Sequence, residues 1–378
     1  MDFDLNEEQK TVQEAARAFA EKRLKPLAQK FDEEEEIPLE LYREAGALGF
    51  FGLFVPEEYG GLGLDPVGVV CVMEELARAC AAFQICLTVH NSLAAGALLK
   101  AGTKEQKDRY LPDLASGRKI GAYSLSEPGA GTDAGSLKAA AKPEGDFFIL
   151  NGTKSWVSSA GFADLFVVFV STDPSKGSRG ISCLLVDKGT PGLQIGKKER
   201  KMGMRGSDTR EIHFKDCRVP RSQLLGAENE GFKIALSLLD SGRIGIAAQS
   251  VGIAQAAFEE ALSYSKQRVQ FGKTLAEFQA TQFKLADMAV RIEASRLLAY
   301  RAAAALGKGR ATREAAMAKL FASESANKVV YDALQIHGGN GYVREFPVER
   351  YFRDARVTEI YEGTSEAQRM VISRELLK

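Results

Sequence analysis

Cysteine, histidine and tryptophan are scarce. Five cysteines stand among 378 residues, an odd number with no Cys-x-x-Cys pair. Cys71, Cys80, Cys86, Cys183 and Cys217 therefore suit neither a disulfide framework nor a cysteine zinc site. A reducing compartment fits them best. The three histidines, His90, His213 and His337, are scattered and give no metal-ligand spacing. Net charge is lacking too: 50 Lys and Arg balance 50 Asp and Glu. A protein built to grip nucleic acid usually carries a basic excess, so that class is disfavoured. No run reaches the ~18 apolar residues of a membrane-spanning helix. The start, Met1-Asp2-Phe3-Asp4-Leu5-Asn6-Glu7-Glu8, lacks the basic stretch and apolar run of a signal peptide. The expected location is the cytoplasm, although a mature organellar matrix protein would look the same.

What is present is ordinary globular composition, 45% hydrophobic and 26% charged. The length suits two or three domains. The first third reads as helical. Asn6 is placed to cap a helix from Glu7 towards Leu24, with Pro26 just beyond. Asp32 to Glu36 reads as a solvated acidic turn. Val67 to Leu99 is almost uncharged and predicts a deeply buried helix. From Gly121 the pattern changes to short β-type runs: Phe147 to Leu150, Leu165 to Val170, Ile181 to Val186 and Glu211 to Phe214. No βαβ alternation and no post-strand G-x-G-x-x-G occur, which disfavours a dinucleotide-binding fold. A small antiparallel barrel or sandwich fits better. The basic stretch from Lys197 to Arg205 reads as a solvated loop or hairpin edge. After Gly231 the helical period returns, with Ile244, Ala248, Val251, Ala254, Phe258 and Ala261 on one face. Phe278 to Ala305, Thr312 to Ile336 and Ser365 to Leu376 follow in kind. Long helices with short breaks predict an antiparallel four-helix bundle. The expected fold is mostly α with a central β-barrel-like domain. Its expected domains are 1–120, 121–226 and 227–378.

Six segments could carry chemistry, and each has a plainer reading. Tyr123-Ser124-Leu125-Ser126-Glu127-Pro128-Gly129-Ala130-Gly131-Thr132-Asp133 offers backbone N–H groups and hydroxyls to a heterocycle or phosphate. It could equally be a turn. Trp156-Val157-Ser158-Ser159 could shield an aromatic cofactor, but a core tryptophan is the simpler expectation. Asp240-Ser241-Gly242-Arg243 puts a permanent charge on an apolar helix. Gly242, Gly245 and Gly252 there make sense where another helix or a ligand packs closely. Arg268-Val269-Gln270-Phe271-Gly272 ends that helix, where an arginine suits either the helix dipole or a pyrophosphate. Gln335-Ile336-His337-Gly338-Gly339-Asn340-Gly341-Tyr342 mixes a helix stop with a possible ligand approach. His337 reads better as structural than catalytic. In Ile360-Tyr361-Glu362-Gly363-Thr364-Ser365-Glu366, Thr364 or Ser365 can cap the last helix. Glu362 alone would pass for a capping or solvated carboxylate.

Together the segments YSLSEPGAGTDAGSL, NGTKSWVSSA, DSGRIGIA, KQRVQFGKTLAEFQATQ, QIHGGNGY and RDARVTEIYEGTSE resemble the acyl-CoA dehydrogenase family. The likeness spans essentially the whole chain, and the short-chain, butyryl-CoA-type branch matches best. It implies FAD, acyl-CoA as substrate, electron-transfer flavoprotein as acceptor and a homotetramer. It implies flavin contacts from Tyr123 to Thr132 and from Trp156, Val157 and Ser158. Thr364, Ser365 and Glu366 would add further FAD contacts. Arg268, Gln279, Gln335, Ile336, His337, Gly338 and Gly339 would reach the FAD of a neighbouring subunit. Thr132, Asp240, Ser241, Gly242, Arg243 and Gly363 would touch substrate. Glu362 matches the base that removes the α-proton. An exposed glutamate near pKa ~4.3 would be a poor base, so burial is expected to raise it. Branches such as isovaleryl-CoA dehydrogenase place the base immediately before the arginine that aligns with Arg243. Here that position is Gly242, so the late glutamate is the expected base. Two alternatives are an oxidase that passes electrons to oxygen and a family member repurposed to bind DNA.

Overall fold

The computed structural model describes residues 4–378, so Met1 to Phe3 lie outside the described residues. Six α-helices come first: α1 Glu7–Phe19, α2 Ala28–Glu34, α3 Leu39–Ala47, α4 Pro66–Thr88, α5 Gly96–Ala101 and α6 Lys104–Ala115. Asn6 caps α1 as expected. Its Oδ1 accepts from the Gln9 N–H at 2.8 Å, and Gln9 Oε1 accepts from the Asn6 N–H at 3.0 Å. A π-helical turn carries the chain on to Leu24. The acidic run is not simply a solvated turn. Asp32 is buried on α2 and accepts both Nη atoms of Arg353, at 3.0 and 2.7 Å. Burial of that carboxylate needs a bidentate partner, and one is supplied from 321 residues away. The uncharged stretch is helical and buried, but not one helix. Non-helical backbone at Cys80 (φ −157°) kinks α4, and a π-helical segment Val89–Ala95 joins it to α5.

Eight strands form one mixed sheet: β1 Gly121–Ser124, β2 Ala140–Glu144, β3 Phe147–Ser158, β4 Leu165–Ser171, β5 Ile181–Asp187, β6 Leu193–Lys198, β7 Thr209–Pro220 and β8 Leu224–Leu225. The hydrogen-bonded order is β6-β7-β3-β2-β4-β5-β8, and β1 pairs with β4 in parallel. Most other pairings are antiparallel, and a single-residue parallel contact joins β2 to β4. β4 is apolar at nearly every position because both its faces are covered. Leu165, Val167 and Phe169 join the large helical core, whereas Phe166, Val168 and Val170 belong to the sheet's own core. The basic stretch is only partly solvated. Arg205 reaches back to Glu35 at 2.6 Å, and Lys201 Nζ donates to Ser207 O at 2.7 Å.

Beyond the sheet run α7 Gly231–Gln267, the short hairpin β9 Val269–Gln270 and β10 Lys273–Thr274, then α8 Gln279–Leu306, α9 Thr312–His337, α10 Val348–Ala355 and α11 Ser365–Leu376. α7, α8 and α9 pack on one another, α11 closes on α9, and α4 packs on α7. The predicted face of α7 is buried or half-buried throughout, from Ile244 to Ala261. Its other faces are also covered between Gly242 and Ala257, since α4 lies on one side and α9 on another. All five cysteines are buried thiols. Among the described residues, no cluster of His, Cys, Asp and Glu could hold a metal, and no helix is long and apolar enough to cross a membrane.

Candidate active site

Glu362 lies in the short loop between the 3₁₀ turn Arg356–Glu359 and α11. Its φ is +54° and that of Gly363 is +94°. A left-handed glutamate is uncommon, and such strain persists only where surroundings over-determine it. Here they do. Lys319 Nζ, from α9, donates to Gly363 O at 2.7 Å. Gln368 Nε2 donates to the same oxygen at 2.9 Å and to Glu362 O at 3.2 Å. Tyr361 donates its hydroxyl hydrogen to Gln249 Oε1 on α7. The cap of α11 is Thr364, whose Oγ1 accepts from the Ala367 N–H at 3.2 Å. Glu362 is thus not a capping residue. Among the described residues, nothing donates a hydrogen bond to its carboxylate.

That carboxylate lies against α7 at Gly242. A Cβ built at Gly242 would come within 2.6 Å of Glu362 Oε2. The three helix glycines therefore answer to different neighbours. Gly245 admits Thr88 and Gly252 admits the α4 backbone at Glu74, but Gly242 admits the carboxylate. Burial pushes the Glu362 carboxyl up to about 7, against the downward pull of Arg243 and Lys319. Arg243 is buried, touches Asp240 Oδ1 at 3.3 Å and leaves its Nε without a partner. Asp240 is held in turn by Thr312 Oγ1 at 2.8 Å. On the sheet side the Tyr123 hydroxyl and Ser124 Oγ are also buried without partners. Ser124 faces the sheet's own core, opposite Tyr123, whereas the Tyr123 hydroxyl and Arg243 both lie by Glu362. Buried polar atoms are rarely left unmade, so those two point to a missing ligand.

The loop after β1 is stapled from beneath. Glu127 accepts the N–H groups of Lys138 at 2.7 Å and Ala139 at 3.0 Å, and Lys154 Nζ at 2.7 Å. Lys154 also donates to Leu125 O at 3.1 Å. The Ser155 N–H donates to Ser126 O at 2.9 Å. Above this support Pro128, Gly129, Gly131 and Thr132 face outward, and no protein atom crowds Gly129 or Gly131. Trp156 is not a core residue. It is 65% exposed at φ +61°, where the β3–β7 register shifts between Lys154 and Val157. That bulge turns the indole out of the ladder. Val157 beside it is buried, and Ser158 is half-buried.

Other sequence-derived candidates lie elsewhere. Arg268 ends α7, roughly 40 Å from Gly242 at 1.5 Å per residue. It cannot serve the Glu362 cleft of the same chain. Arg268, Gln279, Gln335, Gly338 and Gly339 are all exposed. Ile336 is buried. His337 is structural: its Nδ1 pairs with Ala333 O at 2.8 Å, and its ring stacks on Tyr264 at 4.2 Å. Ser365 is buried near Gln368, and Glu366 is exposed. Sequence reasoning missed Lys319, Gln249 and Gln368. Lys319 carried a signal. It is the one charge in the apolar row Ala315, Lys319, Ala322, Ala326 of α9.

Known proteins share this sequence and fold. Residues 6–118, 122–217 and 229–377 match the family profiles "Acyl-CoA dehydrogenase, N-terminal domain", "middle domain" and "C-terminal domain". The chain is 50% identical to the short-chain specific acyl-CoA dehydrogenase, mitochondrial, of Bos taurus, over 99% of this chain and 91% of that one. It superposes on butyryl-CoA dehydrogenase from Megasphaera elsdenii with a TM-score of 0.98 at 45% identity, covering 100% of both chains. A chain from "Electron transferring flavoprotein of Acidaminococcus fermentans: Towards a mechanism of flavin-based electron bifurcation" gives a TM-score of 0.99 at 47% identity, again covering 100% of both. The chain belongs to the acyl-CoA dehydrogenase family.

Proposed function

We propose that the protein dehydrogenates a short-chain acyl-CoA to its trans-2-enoyl-CoA, with FAD as cofactor and Glu362 as the base. The observation that carries this is Glu362 itself: a half-buried carboxylate pushed up to about 7, free of hydrogen bonds among the described residues, on a clamped loop. Residues fit for the flavin are at hand. They are the unpartnered Tyr123 hydroxyl, the outward loop Pro128 to Thr132, and the exposed Trp156 with Ser158. These residues would hold FAD, which would supply the acceptor for the hydride that leaves the β-carbon.

The chain's own residues do the rest. The α-hydrogen beside a thioester is weakly acidic, so the base must meet it in a dry, preorganised place. Glu362 takes that proton on its carboxylate. The electron pair of the broken α-C–H bond becomes the new double bond as the β-hydride departs. The Glu362 N–H has no carbonyl partner within its loop and is available to the thioester oxygen. Gly242 leaves the space that the carboxylate needs. Arg243, held by Asp240, flanks that space with a fixed positive charge.

A buried polar relay favours short acyl chains. Behind Glu362, Tyr361 meets Gln249, Gln249 Nε2 donates to Gln84 Oε1 at 2.6 Å, and Gln84 Nε2 donates to Thr88 Oγ1 at 2.6 Å. This row crosses between α4 and α7, where a longer alkyl chain would have to continue. Gln249→Ala is expected to raise kcat/KM for octanoyl-CoA relative to butyryl-CoA by about tenfold or more. An unchanged chain-length series would remove the relay from the specificity account.

The exposed apolar residues Phe271, Phe283, Val290 and Tyr342 suit burial against further copies of the chain, in keeping with a homotetramer. Electron-transfer flavoprotein is the proposed acceptor. The test is direct. Anaerobic butyryl-CoA should bleach the yellow flavin, and the reduced enzyme should pass electrons to electron-transfer flavoprotein faster than to oxygen. Absence of bleaching with every acyl-CoA tried would sink the assignment, and rapid peroxide formation would make it an oxidase.

A further inference from the structure

Lys319 is a charge that packing alone would not place in α9. Its side chain is fully buried, and Ala315, Ala316, Ala318, Ala322 and Ala326 of the same helix are buried around it. Lysine is almost never buried without pairing. Yet no carboxylate lies within ion-pair distance of Lys319 among the described residues. Its Nζ donates instead to Gly363 O at 2.7 Å. That oxygen already accepts from Gln368 Nε2 at 2.9 Å. One carbonyl does not require a second, charged donor, so the charge answers to something else. The charged groups that act on it are Glu362 in the loop, Glu359 in the 3₁₀ turn, Arg243 on α7 and Glu366 on α11, while Tyr123 and Tyr361 lie by Glu362 and Asp240 by Arg243. Arg243 is engaged by Asp240 at 3.3 Å, Glu359 accepts from Arg356 Nη1 at 2.9 Å, and Glu366 is exposed. Glu362 is the desolvated carboxylate left facing Lys319.

Resting on the dehydrogenase chemistry proposed above, we infer that Lys319 is a positioning residue for Glu362. It holds the Glu362–Gly363 peptide in its left-handed conformation and sets the charge against which the carboxylate exchanges its proton. A hydrogen bond from a cation is stronger than one from a neutral donor, which suits a strained backbone. A positive charge in a desolvated site also lowers the pKa of a nearby carboxylate. Burial pushes Lys319 down to about 8, so its ammonium is still present at neutral pH.

Two variants separate the two roles. Lys319→Met removes both the charge and the bond, whereas Gln368→Met removes a neutral donor to the same oxygen and to Glu362 O, and leaves the charge in place. In Lys319→Met the midpoint of the pH dependence of flavin bleaching should rise by about one pH unit. Its plateau rate should fall by about tenfold or more. In Gln368→Met the plateau should fall while the midpoint stays. A Lys319→Met enzyme with the wild-type midpoint would overturn the inference, even while butyryl-CoA still bleaches the wild-type flavin. A second readout needs no turnover. Thermal unfolding of Lys319→Met, Glu362→Gln and the double variant forms a cycle. The double variant should be more stable than the sum of the singles, and should fold even if Lys319→Met alone does not. Strict additivity, or a double variant that also fails to fold, counts against the pairing.

Discussion

Glu362→Gln is expected to keep the yellow colour of bound flavin and to lose bleaching by butyryl-CoA, by on the order of 10³- to 10⁴-fold in rate. The amide matches the carboxylate in shape but has no basic lone pair to take a proton. Its loop should hold. The clamps from Lys319, Gln368 and Tyr361 all engage backbone atoms or neighbouring side chains, and none engages the carboxylate. Loss of activity should therefore come without loss of fold. The wild-type bleaching rate should rise with pH through about 7 and level off above it, as Glu362 ionises. Stability should move the other way. Between the ordinary value of 4.5 and about 7, the native state keeps a proton that the unfolded chain has released. Stability then falls as pH rises across that window, by on the order of 3 kcal/mol. Glu362→Gln should lack this component, so its melting temperature should decline less from pH 5 to pH 8. Normal bleaching in the variant would refute the base assignment.

Lys154→Met should cost about 3–5 kcal/mol of stability and release the flavin. Lys154 is fully buried and Glu127 nearly so, and among the described residues their 2.7 Å contact is the only ion pair either makes. Burial pushes the ammonium down to about 8, so it is still charged at neutral pH. Removing the cation leaves the buried Glu127 side chain with two backbone N–H partners alone. It also frees Leu125 O, which Lys154 holds at 3.1 Å. The loop from Leu125 to Thr132 then loses its floor. Thermal unfolding and flavin retention on gel filtration measure the two effects separately. A variant that melts as the wild type does and elutes yellow would show that the backbone alone shapes the loop.

How much of this was legible depended on whether periodicity or long-range pairing decided the outcome. α11 begins and ends where the sequence predicts, because Thr364 caps it and polar residues follow its period. α9 is right to within a residue, for the same kind of reason. β3 was legible only over Phe147 to Leu150. Its continuation through Asn151 and Gly152 looks like a turn. Gly152 is a bulge instead, with φ +143° and a built Cβ that would lie 2.5 Å from Ala139 Cβ. β2 contains Pro143 and little β propensity, so it is fixed by its neighbour β3 and not by its own residues. Trp156 misleads for a related reason, since its exposure comes from a bulge that composition cannot reveal. Glu362 and Gly242 were both visible, but their contact was not. Nothing local tells that a gap in one helix is filled by a carboxylate 120 positions later.

The two-sided burial of β4 bears on how the protein comes apart. One set of its side chains completes the helical core and the alternate set completes the core of the sheet. Peeling the sheet away would open the helical body to water along Leu165, Val167 and Phe169. The sheet is therefore not a detachable module, although its sequence reads as one. β5 alternates in the same way, with Ile181, Cys183 and Leu185 in the helical core and Leu184 and Val186 in that of the sheet. Both cores share these two strands, so the sheet that would carry the flavin and the helices around Glu362 stand or melt as one cooperative unit.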